Sequence, residues 1–139
     1  MDFHFLDSSK ISITNYSFYH FDGIIKKFGY KEEKNIELHK YFEWNNIEHW
    51  SFKYEHFSKE AISKMFKNSI KNDSPFLIRI KPTLPLIQVA VIEFSEILDD
   101  LIHENGVMGW QAISTDGKYI IEFTDDYEHL AKSNFRILG

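Results

Sequence analysis

The amino-acid sequence predicts an α+β fold in which an antiparallel sheet carries about three helices, packed mainly on one face. Two patterns and one dipeptide predict it. Apolar residues recur at three- and four-residue steps in three segments, which is typical of helices with one buried face. Apolar and polar residues alternate elsewhere in short runs that are typical of strands. Between two such runs stands Asp116-Gly117, a dipeptide preferred in two-residue hairpin turns.

The three predicted helices lie far apart in the chain. The first runs from Ser12 to Phe28 and is ended by Gly29, and the second begins at Ser58 and stops near Asn72. The third and most apolar runs from Leu86 to Glu104. It presents a buried stripe on one side and four carboxylates on the other.

The predicted strands begin after a polar loop over residues 31–35. Ile36 to Phe42 and Trp50 to Tyr54 alternate in polarity, and we expect them to pair through a turn at Asn45-Asn46. The run from Pro75 to Pro82 predicts a short strand bounded by prolines. A helical turn is expected over residues 125–132 and a last strand over 135–138.

The Asp116-Gly117 turn fixes the register of the hairpin around it. It places Trp110 opposite Phe123 and Ala112 opposite Ile121 on one side of the sheet. The other side then carries Gln111 opposite Glu122 and Ile113 opposite Ile120. One side of the hairpin is therefore aromatic core, and the other is mixed.

The size and composition are those of one domain. The 139 residues are 43% hydrophobic and include 13 Phe, 7 Tyr and 3 Trp, so we expect a single domain over residues 1–139. The sequence has no cysteine, which excludes disulfides, thiolate metal sites and cysteine nucleophiles. Without a secretory leader pattern or a long apolar run, we expect a cytoplasmic protein that does not enter a membrane.

The sequence contains no linear catalytic or metal-binding motif. It has no His-Glu-x-x-His, no Gly-x-Ser-x-Gly and neither phosphate-cradling glycine pattern. His49 and His56 stand seven residues apart in a run that looks extended, which would send them to opposite faces. We therefore expect no metal, no cofactor and no enzyme activity. A hydrolase assembled from dispersed acids and histidines is a weaker alternative.

Charge is divided unevenly along the chain. Residues 91–139 have a net charge of −7, whereas residues 1–90 have +2. Four carboxylates of the third predicted helix recur at helical steps with no lysine between them. Such a surface is either a solvated face or a contact for a cationic partner. Although Lys64, Lys67 and Lys71 form a basic stripe, the overall charge of −5 argues against direct nucleic-acid binding.

Over Leu86 to Gly139 an acidic predicted helix leads into the run Gly109 to Phe123. This small, acidic, cysteine-free and aromatic-rich chain resembles bacterial immunity proteins of the contact-dependent growth inhibition or polymorphic toxin type. The resemblance implies a cytoplasmic protein that binds a cognate toxin domain one to one. Such a toxin is often a basic nuclease, whose active site or substrate surface the immunity protein covers.

Inhibition by occlusion is accordingly the functional hypothesis. The carboxylates expected to steer and pair with lysines or arginines of the toxin are Glu93, Glu96, Asp100, Glu104, Glu122, Asp125 and Asp126. The alternative is a small ligand-binding or regulatory α+β domain whose aromatic pocket holds a small molecule.

Overall fold

An antiparallel sheet of seven strands is the main element of the computed structural model. The structure describes residues 8–34, 40–53, 60, 61, 64, 70, 74–80, 83–91, 93, 94, 97, 109–124 and 130–136. Within them lie nine strands and one α-helix of which both ends are described, α1 (His20–Lys27). The strands are β1 (Ser12–Ile13), β2 (Glu32–Lys34), β3 (Lys40–Phe42), β4 (Trp50–Lys53), β5 (Phe76–Arg79), β6 (Ile87–Val89), β7 (Gly109–Ser114), β8 (Ile120–Thr124) and β9 (Leu130–Ser133).

The large sheet has the order β1-β6-β5-β7-β8-β9-β4, and β2 and β3 form a separate ribbon. Its centre is buried on both faces, since all four residues of β5 are buried. On the first face, Trp110 stacks on Phe123 with ring centroids 4.3 Å apart, and Phe94 and Ile97 cover the strands. On the second face, α1 and the ribbon cover the strands through a core of Phe21, Ile25, Phe42, Trp44, Leu77, Leu86, Ile113 and Ile120.

The predicted α+β fold with about three helices on one face is therefore wrong. Within the described residues, the sheet dominates the chain, and α1 is the one α-helix of which both ends are described. Residues Ser12–Ile13 form β1 instead of the start of a helix, and the helix begins only at His20. It does end as expected, because Gly29 adopts a φ of +85°.

The third predicted helix is also wrong at its start, because Ile87–Val89 form β6. Ile87 and Val89 are buried and Gln88 between them is exposed, so these residues alternate as in a strand that is covered on one side. The helical spacing of the apolar residues that follow was wrongly extended back over this run. Helical backbone appears only after β6, where the Phe94 amide donates to the Ala90 carbonyl over 2.8 Å. The end of that segment lies outside the described residues.

The predicted pairing of residues 36–42 with 50–54 is likewise wrong. The expected loop contains β2, which pairs with β3, and the 3₁₀ turn Trp44–Asn46 follows. β4 instead pairs with β9, where a helical turn had been predicted. The buried side chains of Ala131 and Ser133 let β9 extend the sheet beside β8.

The hairpin of β7 and β8 is confirmed in its register. Trp110 pairs with Phe123, Gln111 with Glu122, Ala112 with Ile121, and Ile113 with Ile120. The turn differs from the predicted two-residue one, because the Gly117 amide donates to the Ser114 carbonyl over 2.8 Å and makes Thr115 and Asp116 the central residues. Gly117 follows them with a φ of +77°. The predicted strand after Pro75 is confirmed as β5.

Replacing Gly117 with alanine should lower the free energy of unfolding by about 1–3 kcal/mol. Its φ of +77° disfavours a side chain, and a Cβ there would overlap the ring of Phe28. Gly23→Ala is the matched control, because Gly23 lies within α1 with open space around it and should gain up to about 1 kcal/mol. Urea unfolding measures both, and a Gly117→Ala protein as stable as the parent would contradict this packing.

Candidate functional site

A row of polar side chains crosses the second face of the sheet. The register places Arg79 of β5 beside Gln111 of β7, Gln111 beside Glu122 of β8, and Glu122 beside Lys132 of β9. Directly opposite residues of antiparallel strands point to the same face, so the four side chains lie next to one another. The row runs through the centre of the sheet, beneath α1 and the ribbon.

The guanidinium of Arg79 is the most enclosed charge of this row, and the residue is 2% exposed. Its Nε donates to Gln111 Oε1 over 3.0 Å, and its Nη1 donates to Asp22 Oδ1 over 2.5 Å. Its Nη2 donates to a carboxylate oxygen of Glu32 and also to Gln111. A cation in the interior needs such partners, because an unpaired one would be very costly to bury.

Two aromatic rings complete the surroundings of the guanidinium. Its central carbon lies 4.8 Å from the ring centroid of Phe18 and 4.4 Å from that of Phe21. Phe21 is a residue of α1, and Phe18 lies just before the helix. These contacts are within the range of favourable cation–π interactions, so the start of α1 contacts Arg79 through both charge and aromatic faces.

Glu122 is the second buried charge, and it is 2% exposed. Its Oε2 accepts from the Phe42 amide and from Gln111 Nε2, each over 2.8 Å, and its Oε1 accepts from Trp44 Nε1 over 2.9 Å. Burial raises the pKa of Glu122 to about 7, although these three donors and the charge of Lys132 act in the opposite direction. Two of the donors belong to the end of the ribbon and the turn that follows it.

Asp22 and Glu32 meet on the far side of Arg79. Both carboxyl groups contact the same guanidinium, and their side chains are 30% and 12% exposed. Burial is the main cause that raises the pKa of Glu32, and the charge of Arg79 opposes it. The helix contributes one carboxyl group to this pair and the ribbon contributes the other.

The arrangement connects three layers of the fold. Asp22 joins α1 to Arg79, Glu32 joins β2 to Arg79, and Glu122 joins Phe42 and Trp44 to β8. The carboxyl groups, the guanidinium and the Gln111 amide are engaged with one another, which is typical of a structural network. Among the residues that the structure describes, no group of three or more His, Asp or Glu side chains could hold a metal ion.

The surface carboxylates predicted from the sequence have different outcomes. Glu122 lies in the interior and was wrongly placed on the surface, because the ribbon covers the face that was expected to be solvated. Glu93 is half-buried. The remaining five, Glu96, Asp100, Glu104, Asp125 and Asp126, lie outside the described residues.

The predicted histidine and lysine features fall partly within the described chain. The imidazole of His49 packs on the indole of Trp44 with centroids 5.3 Å apart, and its Nδ1 lies 2.8 Å from the Ile47 carbonyl oxygen. Lys64 is exposed, while His56, Lys67 and Lys71 lie outside the described residues.

Sequence reasoning missed Arg79, Asp22 and Glu32. One signal was present: Arg79 stands in the apolar run Phe76 to Ile80, where a lone charge on a buried strand requires carboxylates from elsewhere. Nothing in the sequence identifies those carboxylates, because they come from residues 57 and 47 positions away along the chain.

Two acidic segments of the sequence adjoin residues that are paired in the sheet. Gly109, where β7 begins, is paired with Thr124, where β8 ends. The chain enters Gly109 from residues 95–108 and leaves Thr124 into residues 125–129. These two segments hold seven carboxylates and no lysine or arginine: Glu96, Asp99, Asp100, Glu104, Asp125, Asp126 and Glu128.

Large apolar side chains lie exposed near both edges of the sheet. Near the β1 edge, Ile13, Tyr16 and Tyr19 are 60%, 46% and 59% exposed, and on β4 Trp50 is 38% exposed. Tyr16 also stacks on His20 with ring centroids 4.1 Å apart. Within the described part of the chain, no helix has the length and apolar character needed to cross a membrane.

The chain matches no protein-family model, and a search of curated proteins finds no significant relative.

Replacing Arg79 with methionine should lower the free energy of unfolding by about 3–5 kcal/mol, because it leaves Asp22, Glu32 and Gln111 without their buried cation. Arg136→Met removes the same group from an exposed position and should change stability by less than about 0.5 kcal/mol. Urea unfolding compares the two variants. A loss at Arg79 as small as that at Arg136 would show that the network does not hold the layers together.

Proposed function

We propose that the protein is an immunity protein that binds a cognate basic nuclease toxin domain one to one in the cytoplasm. It neutralises the toxin by covering its active site or substrate surface.

The sequence positions of the two acidic segments carry this proposal. Residues 95–108 lead into Gly109 and residues 125–129 follow Thr124, and Gly109 and Thr124 are paired in the sheet. A nuclease exposes lysines and arginines where it holds phosphates, and unbalanced carboxylates are complementary to such a surface.

The other end of the same hairpin has more lysines than carboxylates. The turn between β7 and β8 holds the half-buried Asp116 and the exposed Lys118, and it lies next to the end of α1, whose Lys26 and Lys27 are also exposed. Contact between these elements is direct, because the Tyr30 hydroxyl donates to the Gly117 carbonyl over 2.6 Å. Charge is thus separated along the hairpin, which would orient a basic partner towards the acidic end during encounter.

The interior supports a binding role over a catalytic one. Arg79, Asp22, Glu32 and Glu122 are engaged with one another and fasten the covering layers to the sheet. A surface that is held rigid before binding loses less conformational freedom in the complex. The exposed Tyr16, Tyr19 and Trp50 are residue types that commonly anchor interfaces.

Calorimetric titration with the toxin domain encoded beside the gene tests the proposal. We expect binding at nanomolar affinity that weakens as salt is raised from low to high concentration, because exposed charge pairs are screened. Affinity without salt dependence would move the interface to the exposed aromatic side chains and contradict the acidic contact. Absence of binding would contradict the immunity function itself.

Charge reversal locates the contact. The double change Asp125→Lys with Asp126→Lys should slow association at low salt by about tenfold or more. Glu48→Lys is the matched control, because Glu48 is exposed and precedes β4 at the end of the strands where the β7–β8 turn lies. Stopped-flow association rates compare them, and equal effects of the two changes would contradict a contact at the acidic end.

A further inference from the structure

The interior network contains more carboxylates than cations. Asp22, Glu32 and Glu122 supply three carboxyl groups, and the described residues bring two cations to them, Arg79 and Lys132. With every group ionised, this set would carry one uncompensated negative charge. Such a charge is costly at this depth, because Arg79 and Glu122 are each 2% exposed.

The pair of Asp22 and Glu32 places two of the three carboxyl groups on one cation. Asp22 contacts Nη1 of Arg79, and Glu32 contacts Nη2 of the same guanidinium. When two carboxyl groups share a site in this way, ionisation of one disfavours ionisation of the other. A proton bound by the set relieves this repulsion.

We propose that this network binds one proton, which balances its charge, and that release of the proton at higher pH loosens α1 and the ribbon from the sheet. The two ends of the network are joined through Arg79 and Gln111, so the proton belongs to the set and not to one residue. This inference does not depend on the proposed toxin partner.

The surroundings fix the sign of the effect. The charged groups that face the network are Asp22 on α1, Glu32 on β2, Arg79 on β5, Glu122 on β8 and Lys132 on β9, and His49 and Glu43 lie near its ribbon end. Burial raises the pKa of both Glu32 and Glu122 above the ordinary value of 4.5. A raised pKa means that the folded state holds the proton more tightly than the unfolded state does. The contribution of the network to the free energy of unfolding is therefore largest at low pH and falls as the pH rises towards 7.

Unfolding by urea at pH 5, 6, 7 and 8 tests the proposal. In the parent protein, deprotonation of this network between pH 5 and pH 8 should raise the equilibrium constant for unfolding by a factor on the order of tens. Glu32→Gln and Glu122→Gln each leave two carboxylates for two cations, so either change should flatten that rise. Glu43→Gln is the matched control, because Glu43 accepts from Asn46 outside the network and should keep the parent slope. The histidines contribute equally to all four proteins, so the comparison isolates the network.

Carboxyl-carbon NMR of the parent protein gives a second test that needs no variant. We expect at least one Asp or Glu carboxyl of the folded protein to titrate above pH 6. The proposal is overturned if no carboxyl titrates above pH 6, or if both glutamine variants keep the pH slope of the parent.

Discussion

The guanidinium of Arg79 is the charge around which the described part of the fold is organised. It lies on a strand whose residues are all buried, so water cannot solvate it. Its partners come from α1, β2 and β7, three parts of the chain that have no local reason to meet. Breaking such a buried set costs far more than forming it gains, so the network specifies where the covering layers sit more than it adds to stability.

The acidic residues fall into two groups. Asp22, Glu32 and Glu122 belong to the interior network, whereas the two segments that flank the β7–β8 hairpin in the sequence hold seven carboxylates and no lysine or arginine. The net charge of −5 therefore understates how unevenly charge is distributed. A sheet hairpin that is flanked in the sequence by base-free acidic segments suits recognition of a basic partner, and this is the physical basis of the proposed function.

The sequence predicted the parts of the fold that depend on neighbouring residues. Asp116-Gly117 indicated the hairpin and its register, which places Trp110 opposite Phe123, although the turn itself is centred on Thr115 and Asp116. The pairing of β4 with β9 could not be predicted, because alternation identifies a strand without identifying its partner. Glu122 was assigned to the surface for a related reason: only the packing of Phe42 and Trp44 on the second face shows that this side of the hairpin is covered. Arg79 was overlooked because its carboxylate partners are distant in the chain.

Native-state hydrogen exchange of the Phe42 amide and the Trp44 indole tests most directly whether the network fastens the ribbon to the sheet. Both N–H groups donate to Glu122, and Ala112 in the centre of β7 serves as the reference for global unfolding. At pH 5, where the network holds its proton, the account predicts that all three exchange with the same opening free energy. Exchange of Phe42 and Trp44 at a free energy several kcal/mol below that of Ala112 would show that the ribbon opens on its own, and would contradict the account.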